Sequence, residues 1–241
     1  MCGVFHLYRL IIVILQMICN FHDPKPLLLS HMKAKKLTTT FYQQKDVVKI
    51  ARELLGKMLV TEIDGVRTAG RIVETEAYAG VTDKASHAWN ERRTDRTAVM
   101  YMPGGLTYVY LCYGIHYLFN VITNVKDTPH AVLVRALEPV DGMDAMKARF
   151  GHQPTRNITT GPGNLSKALG IHTALTGESL TGNKVWIEDA PNLPDEQVII
   201  STRVGVAYAG EDAYLPYRFS VKDNRWVSKG KGLTKNTSGE V

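Results

Sequence analysis

Cysteine is scarce, with only Cys2, Cys19 and Cys112 in 241 residues. No pair of them stands at a spacing that would frame a disulfide scaffold or a zinc site, so the chain reads as one kept in a reducing compartment without structural metal. The histidines add no metal case, because none stands at ligand spacing beside a cysteine or a carboxylate cluster. Internal repeats, low-complexity blocks and linker-like stretches are also missing. That argues against solenoids and against a division into several domains. Long apolar runs are absent too. The longest near the start, Leu10 to Cys19 (LIIVILQMIC), is too short to span a bilayer. It is followed by Asn20, Phe21, His22, Asp23 and Pro24, with no small-residue cleavage site of the secretory kind.

What is present suits an ordinary globular protein, with 44% hydrophobic and 22% charged residues. The formal net charge is +6, and a basic balance favours polyanionic partners, since bound Lys and Arg release counterions from phosphates. Met32 opens a stretch, MKAKKLTTTFYQQ, that looks like a cytosolic N-terminus. Residues 1–31 are therefore expected to be an extension whose deletion leaves activity intact.

The patterning is mixed. Asp46 to Leu59 has Val47, Ile50, Leu54 and Leu55 at helical spacing, with Asp46 as N-cap and Gly56 as stop. Strands are expected at Met58–Ile63 and Thr68–Tyr78, joined through the turn pair Asp64-Gly65. Ser86 to Met100 is polar and Arg-rich, suited to loop and short helix. After the Pro103-Gly104-Gly105 turn, Leu106–Cys112 and Ile115–Thr123 flank Tyr113-Gly114 as a hairpin. Ala131–Leu137 is a further strand and Val140–Phe150 a helix. A short helix over Asn164–Leu169 opens from Gly161-Pro162-Gly163. Strands are expected again at Lys184–Ile187, Val198–Val206 and Tyr217–Val221, with a fraying polar end from Gly230. Consecutive hairpins with few helices predict an α+β domain around a curved, mainly antiparallel sheet.

Several residues suit chemistry. In VETEAY, strand alternation puts Glu74, Glu76 and Tyr78 on one face. Carboxylates in sites activate water, although a solvated face, or a pairing of one Glu with Arg71 or Arg135, fits equally well. Tyr108, Tyr110, Tyr113, Tyr117 and Phe119 crowd the hairpin. Most can fill a core, but a tyrosine at an apex beside glycine cannot easily be buried in its own sheet. Exposed apical aromatics suit insertion between bases. Asn120 and Arg135 lie inside apolar strands and need partners there. His87 follows VETEAY by a short loop, near the basic cluster Arg92, Arg93 and Arg96, which suits phosphates. Thr160 to Asn164 precedes a helix whose free N–H groups, with Lys167, could hold a phosphate. No GK[ST] follows, so it is not a P-loop.

Taken together, RIVETEAY (71–78), ASHA (85–88), MPGGLTYVYLCYGIHYLFNVIT (102–123), VLVRALEP (132–139), TGPGNLSKALGI (160–171), RVGVAYAGE (203–211) and PYRFSV (216–221) resemble the alkyladenine (3-methyladenine) DNA glycosylase family, of the mammalian type also found in bacteria. They run in family order over about residues 45–228. The resemblance implies a single domain at 32–228, similar to the C-terminal domain of methionyl-tRNA formyltransferase, with a protruding DNA-inserting hairpin and a flexible tail at 229–241. It implies that Glu76 is the general base that activates water, and that Arg135 helps hold this water. Tyr78, His87 and Tyr110 would line the pocket for the flipped purine, Tyr113 would intercalate, and Asn120 would disfavour guanine's amino group. Arg92, Arg93, Arg96, Gly163 and Lys167 remain candidates for phosphate contacts. The implied partner is double-stranded DNA containing damaged purines such as 3-methyladenine, 7-methylguanine or hypoxanthine. No lysine stands out as a nucleophile. A monofunctional hydrolase is expected: monomeric, cytoplasmic, without cofactor or membrane contact. Two rivals remain, a non-catalytic nucleic-acid-binding module of the same fold and a membrane-anchored protein using residues 10–19.

Overall fold

A short turn of helix, α1 (Thr39–Tyr42), leads into α2 (Val47–Glu53). Asp46 caps α2 by accepting a hydrogen bond from the Lys49 amide at 2.9 Å, and Val47, Ile50 and Ala51 are buried along one face. The helix unwinds into Gly56, whose φ of +84° only glycine adopts freely. Strand β1 (Met58–Ile63) follows and folds back as β2 (Val66–Tyr78). Asp64 and Gly65, at φ +53° and +74°, make the left-handed turn that matches strand twist. In this computed structural model, residues 35–153 and 156–234 are described. The expectations for residues 1–31 and for the membrane anchor at 10–19 fall outside them.

Next come β3 (Thr107–Cys112), β4 (His116–Thr123) and β5 (His130–Asp141). Helices α3 (Met143–Phe150) and α4 (Pro162–Leu169) are followed by β6 (Val185–Glu188), β7 (Val198–Ser201) and β8 (Arg218–Val221). The strands form one eight-stranded sheet in the order β3-β4-β5-β2-β1-β6. All pairings are antiparallel. Long β2 pairs with β1 through its first half and with β8 over Glu74–Glu76, and β7 pairs with β8. The α+β expectation, a single domain with a curled antiparallel sheet, therefore holds.

Most boundaries shift by a residue or two from the sequence pattern, and two shift further. Strand β5 runs to Asp141, so Val140 is strand and the helix begins only after Gly142, at φ +75°. Strand β7 stops at Ser201, leaving 202–206 irregular. Within the expected tail, the Leu233 carbonyl accepts the Thr202 hydroxyl at 2.6 Å.

The two faces of the sheet are divided by alternation. Ala77, Val109, Phe119, Val121, Val132 and Val134 point into the main core, with Ile50, Leu54, Leu165 and Leu169 from the helices. The opposite face carries Glu76, Tyr108, Asn120 and Leu133, which stand in one cross-strand row: Glu76 opposite Leu133, Leu133 opposite Asn120, Asn120 opposite Tyr108. The polar side chains thus lie on the face that the helices leave uncovered.

Candidate active site: an acid behind an aromatic cleft

Leu133 of that row lines a cleft of about 590 Å³, with Tyr78, His87, Tyr110, Arg135 and Val204 among its other walls. Behind it lies a recess of about 40 Å³, bordered by Tyr78, His87, Tyr108, Tyr110 and Asn120. The sheet itself gathers them. Residues two apart on one strand share a face, so Tyr108 and Tyr110 on β3 and Leu118 and Asn120 on β4 converge with Leu133 on β5.

Glu76 is fully buried, against three residues that line the cleft, Tyr78, Arg135 and Val204. Its Oε1 accepts the Val204 amide at 2.8 Å and lies 3.3 Å from Arg135 Nη1. Its Oε2 accepts the Tyr78 hydroxyl at 2.8 Å. A carboxylate offers about four lone-pair sites. Three are met by these groups. Arg135 keeps its charge in spite of burial, since Glu76 and Glu74 beside it more than offset the desolvation that works against it. The Tyr78 phenol is raised well above its ordinary range by burial and by the negative charge of Glu76, so it stays protonated and donates. Arg203, buried and paired with Asp83, sits 4.9 Å from the centre of the Tyr78 ring.

Arg135 reaches this position through a break in the ladder. Glu74 pairs with Ala136 and Thr75 with Val134, so Arg135 is an extra residue on β5. Such a bulge re-aims a side chain. No residue in VLVRALEP announces it. Arg71, the other partner considered for the VETEAY acids, lies instead 3.8 Å from Glu138.

His87 packs edge-on to Tyr110, with ring centres 4.6 Å apart, and its Nδ1 lies 2.9 Å from the Tyr108 hydroxyl. Arg96 donates to the same hydroxyl from Nε at 3.2 Å. The arrangement that satisfies all three has Tyr108 donating to Nδ1, with the imidazole proton on Nε2. Burial, Arg96 and Arg92 push the His87 pKa down to about 4, so the ring is neutral near pH 7. Asn120 is buried and its amide donates to the Tyr108 carbonyl at 3.1 Å.

Tyr113 stands at the rim, 90% exposed. The basic residues divide. Arg92 is exposed; Arg93 pairs with Asp127 at 3.0 Å and lies over the Tyr101 ring; Arg96 lies over Tyr110. Gly163 lines the cleft with Thr160 to Asn164, whereas Lys167 faces a neighbouring groove and bonds Gln153 at 2.9 Å. Two contributors were not visible in the sequence pattern. Val204 lies where a strand was expected. Tyr208, 70% exposed, closes both cleft and recess and donates to the Ala85 carbonyl. Among the described residues no cluster of His, Cys, Asp or Glu suits a metal ion, and no helix is long and apolar enough to cross a membrane.

The sequence matches the family model of methylpurine-DNA glycosylase (MPG) over residues 40–225. Curated relatives agree. A protein of Desulfitobacterium hafniense named "Putative 3-methyladenine DNA glycosylase" is 43% identical over 202 residues, covering 80% of this chain and 98% of its own. Proteins of the same name from Natranaerobius thermophilus and Bacillus cytotoxicus are 41% and 42% identical, each covering 80% of this chain and 98% and 100% of their own lengths.

Proposed function

Because the chain belongs to the methylpurine-DNA glycosylase family, we propose that it removes damaged purines from duplex DNA by hydrolysing the bond between base and sugar. The substrates are alkylated or deaminated purines: 3-methyladenine, 7-methylguanine and hypoxanthine. The observation that carries this reading is the placement of Glu76. A buried acid lies against the residues that line an aromatic cleft, with an exposed tyrosine at its rim.

Tyr113 fills the gap left by the extruded nucleotide, and the flipped base enters between Tyr78, His87 and Tyr110. Opening a damaged pair costs less than opening a sound one, which adds selectivity. Bond cleavage passes through an oxocarbenium-like state. Glu76 stabilises that positive charge and takes a proton from the attacking water, which Arg135 helps hold. An N3- or N7-alkylated purine is already cationic in the nucleotide, departs neutral with the bonding electron pair and needs little acid help; hypoxanthine must gain a proton. Asn120 at the recess disfavours guanine's exocyclic amino group. Arg92, Arg93, Arg96, Gly163 and Lys167 are proposed for the DNA backbone, and the enzyme acts as a monomer without cofactor.

The test is incubation with duplexes containing hypoxanthine or an alkylated purine, followed by an assay for free base. Glu76→Gln is expected to cut base release by roughly 10²–10⁴-fold, the usual worth of a general base, while binding of the lesion duplex survives. A non-catalytic binding module predicts no base release from the parent and no effect of the substitution.

A further inference from the structure

Two residues before Glu76, strand β2 carries a second fully buried carboxylate, Glu74. It is held more tightly than the first. Its Oε1 accepts Nε of Arg135 and Nε of Arg218, both at 2.8 Å, and the Ser228 hydroxyl at 2.9 Å. Its Oε2 accepts the Ser228 amide at 2.8 Å. The same guanidinium of Arg135 that gives Nε to Glu74 places Nη1 at 3.3 Å from Glu76. A guanidinium is planar and rigid, so fixing Nε fixes the plane and hence Nη1.

Ser228 lies beyond residues 40–225, the span of the family match. It belongs to a terminal strap that passes behind the site. Arg218 donates to the Ser228 carbonyl at 3.4 Å, and Thr202 ties down Leu233. At Gly230 an added Cβ would come within 2.9 Å of a Val204 methyl and 3.6 Å of Arg135 Nη2. The strap therefore packs on two of the three groups that hold Glu76, the Val204 segment and Arg135. Two acids and two arginines balance in charge, yet a buried ion-pair cluster is a poor source of stability compared with apolar packing. Its geometry has a better use.

We infer that Glu74, clamped by Arg218 and Ser228, is a positioning residue that holds the Arg135 guanidinium against Glu76, and that strap residues 228–230 belong to the working site. The inference rests on the proposed glycosylase reading.

Single-turnover base release and lesion-duplex affinity would be measured for the parent, Glu74→Gln, Ser228→Ala, Arg135→Gln and the Glu74→Gln/Arg135→Gln double variant. Glu74→Gln is expected to lose ~10–100-fold in rate, as a misplacement of about an ångström does, with affinity within ~3-fold of the parent. Ser228→Ala keeps every charge and is expected to lose ~3–10-fold in rate alone, since one of several supports is gone. Glu74→Gln should cost much less on top of Arg135→Gln than in the parent, because the two act in series. Parental rates in Glu74→Gln and Ser228→Ala, full additivity in the cycle, or matched losses of affinity and rate would each overturn the proposal. Should Glu74→Gln fail to fold, Ser228→Ala decides. An active parent with indifferent variants removes this inference only; a parent that releases no base removes the glycosylase reading as well.

Discussion

His87 is held by Tyr108 and Tyr110 with its pKa lowered from 6.5 to about 4 by burial and by Arg96 and Arg92. Between those two values the unfolded chain binds a proton that the folded one refuses. Stability is then fully present above about pH 6.5 and is lost as pH falls towards 4. His130, also lowered by burial, acts with the same sign. The thermal unfolding midpoint is therefore expected to drop between pH 7 and pH 4.5, and His87→Gln should flatten that dependence. Identical pH profiles for parent and variant would show that the imidazole is not held neutral. The same argument sets its role in the cleft. A neutral ring with its proton on Nε2 offers one donor and adds no charge, so it can face either a neutral or a cationic purine.

At the scale of the element, the β3–β4 hairpin combines burial at its base with strain at its tip. Phe119 and Val109 anchor it in the core, while Tyr113 and Gly114 cross over at φ +51° and +72°. A bulky residue in the left-handed region costs of order 1–2 kcal/mol, and such strain at an exposed tip suggests that function retains it. Asparagine tolerates that region far better. Tyr113→Asn is thus expected to leave the unfolding midpoint unchanged or raised while weakening lesion-duplex binding by roughly 5–150-fold, the equivalent of 1–3 kcal/mol of stacking. Unfolding and binding measurements that fall together would mean the ring is structural. The hairpin was legible in the sequence because its aromatic alternation and its glycine mark both strands and turn. VETEAY was legible for the same reason, since period two brings Glu74, Glu76 and Tyr78 to one face. The bulge at Arg135 was not, because it depends on how β5 pairs with β2 rather than on its own residues. Nor was the Val204 amide: the apolar run of 198–206 reads as strand, but the chain leaves the sheet at Ser201 so that a backbone N–H can turn towards Glu76. Ser228 escaped notice because a polar stretch near the terminus looks like tail until the carboxylate it binds is seen.

For the molecule as a whole, charge separates binding from chemistry. The net charge of +6 and the exposed arginines act through solvent, where salt screens them. Glu74, Glu76 and Arg135 act in the interior, where it does not. With three or four cations engaged, the slope of log affinity against log salt is expected to be about −3, for damaged and sound duplexes alike. Arg92→Ala should reduce that slope by about 1. Arg93→Ala should reduce it less, because Asp127 already neutralises that charge at 3.0 Å. Base release with all lesion duplex bound should hardly change with salt, because no exposed charge takes part in it. Measuring affinity and single-turnover rate across the same salt series separates the two. If the saturated rate fell in parallel with affinity, the groups driving hydrolysis would have to lie on the surface, and the buried acid could not be their centre.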